Sequence, residues 1–591
     1  AHVRQRPIRL VLPRAADSAM IGKRHPYYGQ YQIAVDRGER RDAAGQLEID
    51  PALRGIIRGL HVKFWGDGGA FYDCSFIVSN CIQLRADNAY RIANFQSELD
   101  VCRTNTAPNT AFRAFGDIQG KLVIESAIDD AAFVLGMPDD ELREKNMYER
   151  GDVTPFGQAL SYCYMREVWQ YLRVTCDYTA RRQRVEQFNR DNRWRKRGLY
   201  MLPNKYGSGY NLVQLEQAAA MVSVYAGDGS IIINQGGVEM GQGLITQAAQ
   251  VASYVLNVPL DLISVQGADT SIIPNPTSTG ASTGTPYAGE AVKRVCEVLH
   301  ARLTQFGYDL QKQLGDDACH ALGVDFWNYG SAGWAAEIPG SDPPRLVWQN
   351  LVAQANVHRV SLVCAETKQM TGGTTAVPAL HYKPLELQPR IPGIEVKSSG
   401  KVDGAVDSFS GFTYSAACSE VEVDILTGEV KVLRSDIVYD AGWSLNPALD
   451  IGQVEGGFMQ GLGYILSENL VFQPDGEQRG RLNTTNTWRY KPPATTSIPL
   501  ELNVTLFPRE LAADVPENPN NLFSAKEVGE PPLVLANSVF FAIKAAVRAS
   551  RLERGLSGLF LLRAPATVQE VRSACEVDAV PRSDAALVEG D

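Results

Sequence analysis

Residues 526–533 read Lys-Glu-Val-Gly-Glu-Pro-Pro-Leu, and the carboxylate at Glu530 is the first group here that could move a proton. A glycine precedes it and two prolines follow, just ahead of the apolar run 533–547. Pro531 disfavours the αR region for Glu530 and predicts an extended backbone at that residue. Pro532 suits a first helical turn, where a missing N–H costs nothing. The carboxylate is therefore expected at a rigid loop-to-helix junction. Local chemistry leaves two readings open. One is a helix cap that complements the dipole, worth about 0.3–1 kcal/mol. The other is a general base, which must lie within about 2.6–3.2 Å of the proton it takes.

Three further stretches carry residues suited to binding. Residues 102–116 form a loop by their Asn, Pro and Thr content and close on Phe112-Arg113-Ala114-Phe115-Gly116. An arginine between aromatics can hold an anion, stack on a planar ring, or shield a loop core. Residues 236–243, Gly-Gly-Val-Glu-Met-Gly-Gln-Gly, follow a strand pattern and precede a helical one. That arrangement offers backbone N–H groups to an anion at a helix start, or is a close-packing turn. Its spacing is neither a Walker loop nor a dinucleotide fingerprint. Residues 276–285 are nearly all hydroxyls and glycines, which lets a backbone approach a polar ligand closely or makes a plain flexible loop.

The elements that must position these groups alternate strand and helix patterns. Strands are expected at 9–12, 55–72 and 74–84, with Gly66, Gly68 and Gly69 marking a turn. Amphipathic helices follow at 119–136 and 138–148. A hairpin at 221–225 and 230–234 turns through Gly227-Asp228-Gly229 and leads to a helix at 244–256. A helix at 287–304, strands at 418–424 and 430–440, a glycine-rich helix at 453–463 built for tight packing, a strand at 500–507 and a helix at 532–551 complete the pattern. Residues 316–346 and 368–410 are irregular and read as surface insertions; the acidic tail beyond 581 reads as disordered.

Composition bounds the rest. The chain has 591 residues, 45% hydrophobic and 21% charged, with net charge −10. That acidity disfavours a general nucleic-acid or anionic-membrane role. The basic run 181–197, interleaved with Phe188 and Trp194, is broken by Glu186 and Asp191 and is expected to be a solvated helix rather than a nucleic-acid patch. No window reaches the roughly 18 consecutive apolar residues of a membrane span. The ten cysteines hold no C-x-x-C pair, which argues against zinc or iron–sulfur ligation within this chain and predicts a reducing, cytoplasmic setting. The chain lacks an initiator methionine and reads as a piece of something longer.

Taken together, residues 110–116, 236–243, 418–428 with Leu445-Asn446-Pro447 and 453–463, and 526–533 resemble the large-domain signatures of the molybdenum hydroxylases, the xanthine dehydrogenases and aldehyde oxidases. The resemblance runs from about Arg6 to Cys575 and implies an α+β fold class, the mixed α/β molybdopterin-binding domains of that family. Residues 1–200 would be the remainder of a first such subdomain and 201–580 a second. The implied activity is oxygen insertion from water at an electrophilic carbon of a purine, heteroaromatic or aldehyde. A glutamate at the position of Glu530 would be the catalytic base. Gln242, Gly241, Arg113, Ala281 and Phe112 would hold the molybdopterin, with Arg113 and Ala281 near the molybdenum through that cofactor. Phe115, Tyr210, Asn211 and Cys81 would line the substrate pocket, with Phe112 and Phe115 sandwiching a planar substrate.

Departures from the family pattern carry their own expectations. Cys81 stands where the xanthine enzymes place a substrate-orienting arginine, with Arg85 offset from it. Loss of a buried bidentate donor shifts preference toward aldehydes or less polar heteroaromatics. The family's glycine-rich segment with Phe and Glu does not precede Arg6, so iron–sulfur clusters and FAD are expected in an upstream portion or separate chain, and a homodimer is expected by analogy. The alternative is a truncated, catalytically inactive relative serving as a scaffolding subunit.

Overall fold

The computed structural model describes the chain except Ala1, 42–45, Tyr72, 211–214, Glu216, 370–389, 398–408, 513–521 and 578–591. The expected disordered tail lies outside these residues, as does most of the second expected insertion. Among the described residues three four-stranded mixed sheets carry the fold. The first orders strands Arg390–Lys397, Phe95–Arg103, Ile57–Gly69 and Tyr27–Val35; the second orders Ile263–Val265, Ile231–Gln235, Gln217–Val224 and Val363–Gln369. The third orders Glu501–Leu506, Val430–Tyr439, Phe412–Asp424 and Arg195–Gly207. Strand Arg390–Lys397 pairs antiparallel with Phe95–Arg103, so the chain returns to its first sheet well after residue 200.

Each sheet buries a face against helices, as amphipathic elements must. Helix Asn537–Glu553 lies on Arg195–Gly207 and Phe412–Asp424, its Val539, Phe540, Phe541, Ile543 and Val547 all buried. The stretch Pro531–Glu553 is long and apolar enough to cross a membrane, yet 83% of its apolar window is buried inside the protein, the signature of a core helix. Helices Leu244–Leu256 and Glu290–Leu314 cover the second sheet. The hairpin pairs Val224 with Ile231 as its turn residues require.

Four local expectations are corrected. Residues 9–12 are irregular and exposed. Ser75–Arg85 is an α-helix rather than a strand. Almost all its side chains are buried, and a fully buried apolar run has no periodicity that separates helix from strand. Gly66, Gly68 and Gly69 lie inside strand Ile57–Gly69, not in a turn. Residues 316–346 are not a loose surface insertion, because Cys319, Phe326 and Trp334 are buried in the core of the second sheet's layer. The basic run begins in helix Tyr178–Asp191, but Arg181 is buried between Glu420 and Asp436 and Arg197 pairs with Glu422. These pairs neutralise two of the charges a nucleic-acid surface would need.

Candidate active site

A cavity of about 530 Å³ opens where the loop after strand Phe95–Arg103, the glycine-rich turn 236–243, the small-residue loop 276–285 and the segment 526–530 converge. Glu530 sits in its wall, buried, at the N-cap of the short helix Pro531–Leu535. Its backbone is at φ −104°, ψ −38°, so the αR region disfavoured before proline is adopted after all. The neighbouring packing supplies the reason. Arg113 Nε donates to the Gly529 carbonyl, and a Cβ on Gly529 would lie 2.9 Å from Ser282 Oγ. Behind, a Cβ on Gly461 would lie 2.3 Å from the Leu533 carbonyl. Contacts on both sides outweigh a local preference.

The side chain makes no cap hydrogen bond to its helix. Tyr206 OH donates to Glu530 Oε2 at 2.7 Å, and the backbone N–H of Ala114, a residue at φ 62°, also reaches the carboxylate. Burial pushes the Glu530 carboxyl above its ordinary range, while the Tyr206 bond, Arg85, the Ala114 amide and Arg113 pull it back. A buried carboxyl held by donors and poised upward is suited to taking a proton.

Strand Arg195–Gly207 and its continuation supply a row of hydroxyls to this wall. Residues two apart share a face of an extended chain. Tyr206 donates to Glu530, Ser208 to Glu527 and Tyr210 to the Ser278 carbonyl. Glu527 is a second buried carboxyl in the cavity wall, and burial pushes it up to about 7 against the opposing Ser208 bond. Neither Tyr206 nor Glu527 stood out in the sequence. The alternation Tyr-x-Ser-x-Tyr at 206–210 was the signal available.

The structure brings Phe112, Arg113, Phe115, Tyr210, Gly241, Gln242 and Glu530 to one cavity surface. Ala281 and Cys81 stand just behind that surface, packed with Val78, Phe115, Tyr210 and Tyr287. Cys81 is fully buried because helix Ser75–Arg85 turns it inward. Phe112 is half exposed, with the Arg24 guanidinium 4.6 Å from its ring centroid, so one ring face is already covered. Asn211 lies outside the described residues. The turn 236–243 differs from expectation in one respect: its amides at Gly241, Gly243 and Ile245 donate to the Glu239 carboxylate. Gln242 folds its side chain onto Val238 O and Met240 N. A carboxylate inside the motif thus satisfies the helix start, as acidic residues at N-termini do.

The residues present fit the polar, anionic group that the resemblance implies. Arg113 binds Gln453 Oε1 at 2.8 Å and Gln460 Oε1 at 3.1 Å, both neutral. Among the described residues no carboxylate lies within ion-pairing distance of it. Its charge is therefore open to a ligand. Ser282 Oγ is buried with no hydrogen-bond partner. Ala281 and Ser282 hold φ of 50° and 58°, a conformation that costs about 1–2 kcal/mol per non-glycine residue and keeps this wall low. Among the described residues no group of three His, Cys, Asp or Glu side chains is placed to ligate a metal directly.

Comparison with known proteins agrees with this arrangement. Two models of the molybdopterin cofactor-binding domain match residues 1–147 and 171–499. The chain is 36% identical over 577 residues to xanthine dehydrogenase/oxidase of Rattus norvegicus, covering 97% of this chain and 37% of that protein. It is 36% identical over 571 residues to aldehyde oxidase 1 of Bos taurus, covering 97% and 36%. The chain thus spans little more than a third of the length of these relatives. Among solved structures it resembles quinoline 2-oxidoreductase from Pseudomonas putida 86, with TM-score 0.73 and 18% identity over 98% of this chain and 65% of that one. Aldehyde oxidoreductase from Desulfovibrio gigas gives TM-score 0.67 and 20% identity over 95% of this chain and 50% of that one; at these identities the likeness concerns the fold. With its domain matches, its relatives and its fold in accord, the chain belongs to the molybdopterin cofactor-binding family.

Proposed function

We propose that this chain is the molybdopterin-binding portion of an oxidoreductase that inserts water-derived oxygen at an electrophilic carbon of a heteroaromatic ring, purine or aldehyde. Supporting this reading is one observation above the others: Glu530 is a buried carboxyl, raised by burial and held by donors, in the wall of the cavity formed by the cofactor motifs. When bound, the molybdenum cofactor supplies Lewis acidity and the capacity to accept two electrons. The protein's own part is positional. Glu530 takes the proton of the attacking water-derived oxygen. Arg113 holds Gly529, and with it the base, in place. Gln242, Gly241 and the Ala281 loop face the cofactor, and Phe112, Phe115 and Tyr210 bound the substrate. Ring stacking of that kind is worth about 0.5–1.5 kcal/mol beyond area burial. Electrons leave through iron–sulfur and FAD centres carried outside this chain, and the working enzyme is a homodimer located in the cytoplasm.

The apolar surroundings of Cys81 favour an aldehyde or a weakly polar heteroaromatic over xanthine. Glu530→Gln, made in the full assembly, is expected to abolish turnover while molybdenum and pterin content stay at the parent level. Near-parental turnover in that variant would remove Glu530 from the role of base. Absence of molybdenum and pterin from the parent assembly would remove the catalytic reading itself.

A further inference from the structure

Arg85 is a fully buried guanidinium that lines no part of the cavity. Among the described residues it has no carboxylate within ion-pairing distance. Its Nη1 donates to Tyr206 OH at 3.2 Å and its Nη2 to the Gly207 carbonyl at 2.6 Å. The guanidinium carbon lies 4.2 Å from the Tyr206 ring centroid and 5.0 Å from that of Phe409, within cation–π range of both rings. A guanidinium has donors only, and a phenol has one hydrogen. Tyr206 must therefore accept from Arg85 and spend its single proton on Glu530 Oε2, 2.7 Å away. While the Glu530 carboxylate is ionised and can only accept, the order of this chain cannot be reversed.

We propose that Arg85 and Tyr206 are positioning residues whose directed hydrogen bonds hold Glu530 in one orientation at the cavity. The inference rests on the reading of Glu530 as the base. It assigns a use to a buried cation that otherwise has only a cost, since an unpaired buried charge is expensive to keep. Other charged and titratable groups face the same place. Arg113 and Arg24 also lie close enough to act on Glu530 electrostatically. Cys81 lies one helical turn before Arg85 and feels both Arg85 and Glu530. Asp117 faces Arg85 and Tyr206 but is committed to Lys121 at 3.1 Å, with Lys205 nearby. Among the described residues the Tyr206 hydroxyl bonds neither to Asp117 nor to the Cys81 thiol; its two bonds run to Arg85 and Glu530. Burial keeps that hydroxyl protonated by raising its pKa well above the ordinary phenol range, which preserves the donor.

The test uses Tyr206→Phe, which removes one oxygen from the core, with Arg85→Met and Arg85→Lys beside it in the full assembly. For Tyr206→Phe, kcat is expected to fall about tenfold or more, with KM within about twofold, the size of a lost hydrogen bond to a charged acceptor. Arg85→Met should do the same, and Arg85→Lys, which keeps a donor, should recover part of the loss. A second reading needs no turnover: the infrared carboxylate band that Glu530→Gln deletes should shift in Tyr206→Phe. An unmoved band, or an unchanged kcat in a folded Tyr206→Phe with parental cofactor content, would overturn the relay. If Glu530→Gln keeps its turnover while the band shifts in Tyr206→Phe, the base reading fails and the relay stands as a structural contact alone.

Discussion

Cys81 puts a thiol, fully buried among Val78, Phe115 and Tyr210, at the position where the resemblance to the xanthine enzymes implies an arginine. The helix places 81 and 85 one turn apart on one face, so the buried guanidinium of Arg85 stands four residues along from the expected one and points to Tyr206 instead. Cys81→Arg is expected to raise the ratio of kcat/KM for xanthine over that for an aromatic aldehyde, because a long donor at 81 can reach past Phe115. It is also expected to lower stability by roughly 1–3 kcal/mol, from overpacking and from a second cation beside Arg85. Paired kinetics on the two substrates and a thermal melt check both halves. At this scale Glu530 and Arg113 were legible in the sequence because their motif neighbours are unusual. Tyr206 was not, since nothing in a strand residue tells which carboxylate it will meet 324 positions later.

The glycine-rich pattern at 453–463 becomes part of helix Pro447–Leu466, and Gly457 and Gly461 pack as tightly as that pattern suggested. A Cβ on Gly457 would lie 3.0 Å from Pro532, and one on Gly461 only 2.3 Å from the Leu533 carbonyl. The helix therefore packs backbone to backbone behind the segment that carries Glu530. Gly461→Ala is expected to push Pro531–Leu535 away, destabilise the protein by about 1–3 kcal/mol, and reduce kcat more than it changes KM; a melt and steady-state kinetics read the two effects. Helices with polar outer faces, such as Asp117–Leu135 and Leu244–Leu256, were read within a few residues. Ser75–Arg85 was missed because burial on every side erased the periodicity. A Cβ on Gly116 would come 2.4 Å from the Val78 carbonyl, a contact between loop and helix that no local pattern announces.

Across the whole molecule, helix Asp117–Leu135 is tied to helix Asn537–Glu553 by Asp129, which meets Arg548 at 2.6 Å and Lys544 at 3.0 Å. Lys544 and Arg548 hold the Asp129 carboxyl down at about 2, from an ordinary 3.8, despite its burial. A depressed carboxyl contributes stability that is present above its unfolded pKa and lost as pH falls through the folded one. Here that contribution is about 2 kcal/mol, fading from pH about 4 to about 2. Glu527 has the opposite sign: raised from 4.5 to about 7 by burial, its contribution is full below pH about 4.5 and lost as pH rises through about 7. The thermal midpoint should therefore fall on both sides of a mildly acidic optimum. Asp129→Asn should flatten the acid limb and Glu527→Gln the alkaline one, as melts across that range would record. The sequence by itself determined the family and the alternation of strands and helices, and singled out Glu530 and Arg113 as candidates, because these depend on short runs of chemically unusual residues. Only the tertiary structure decided how Glu530 is held and that strand Arg390–Lys397 returns to the first sheet. Those outcomes depend on contacts between residues hundreds of positions apart, where burial and close packing override what each local stretch prefers.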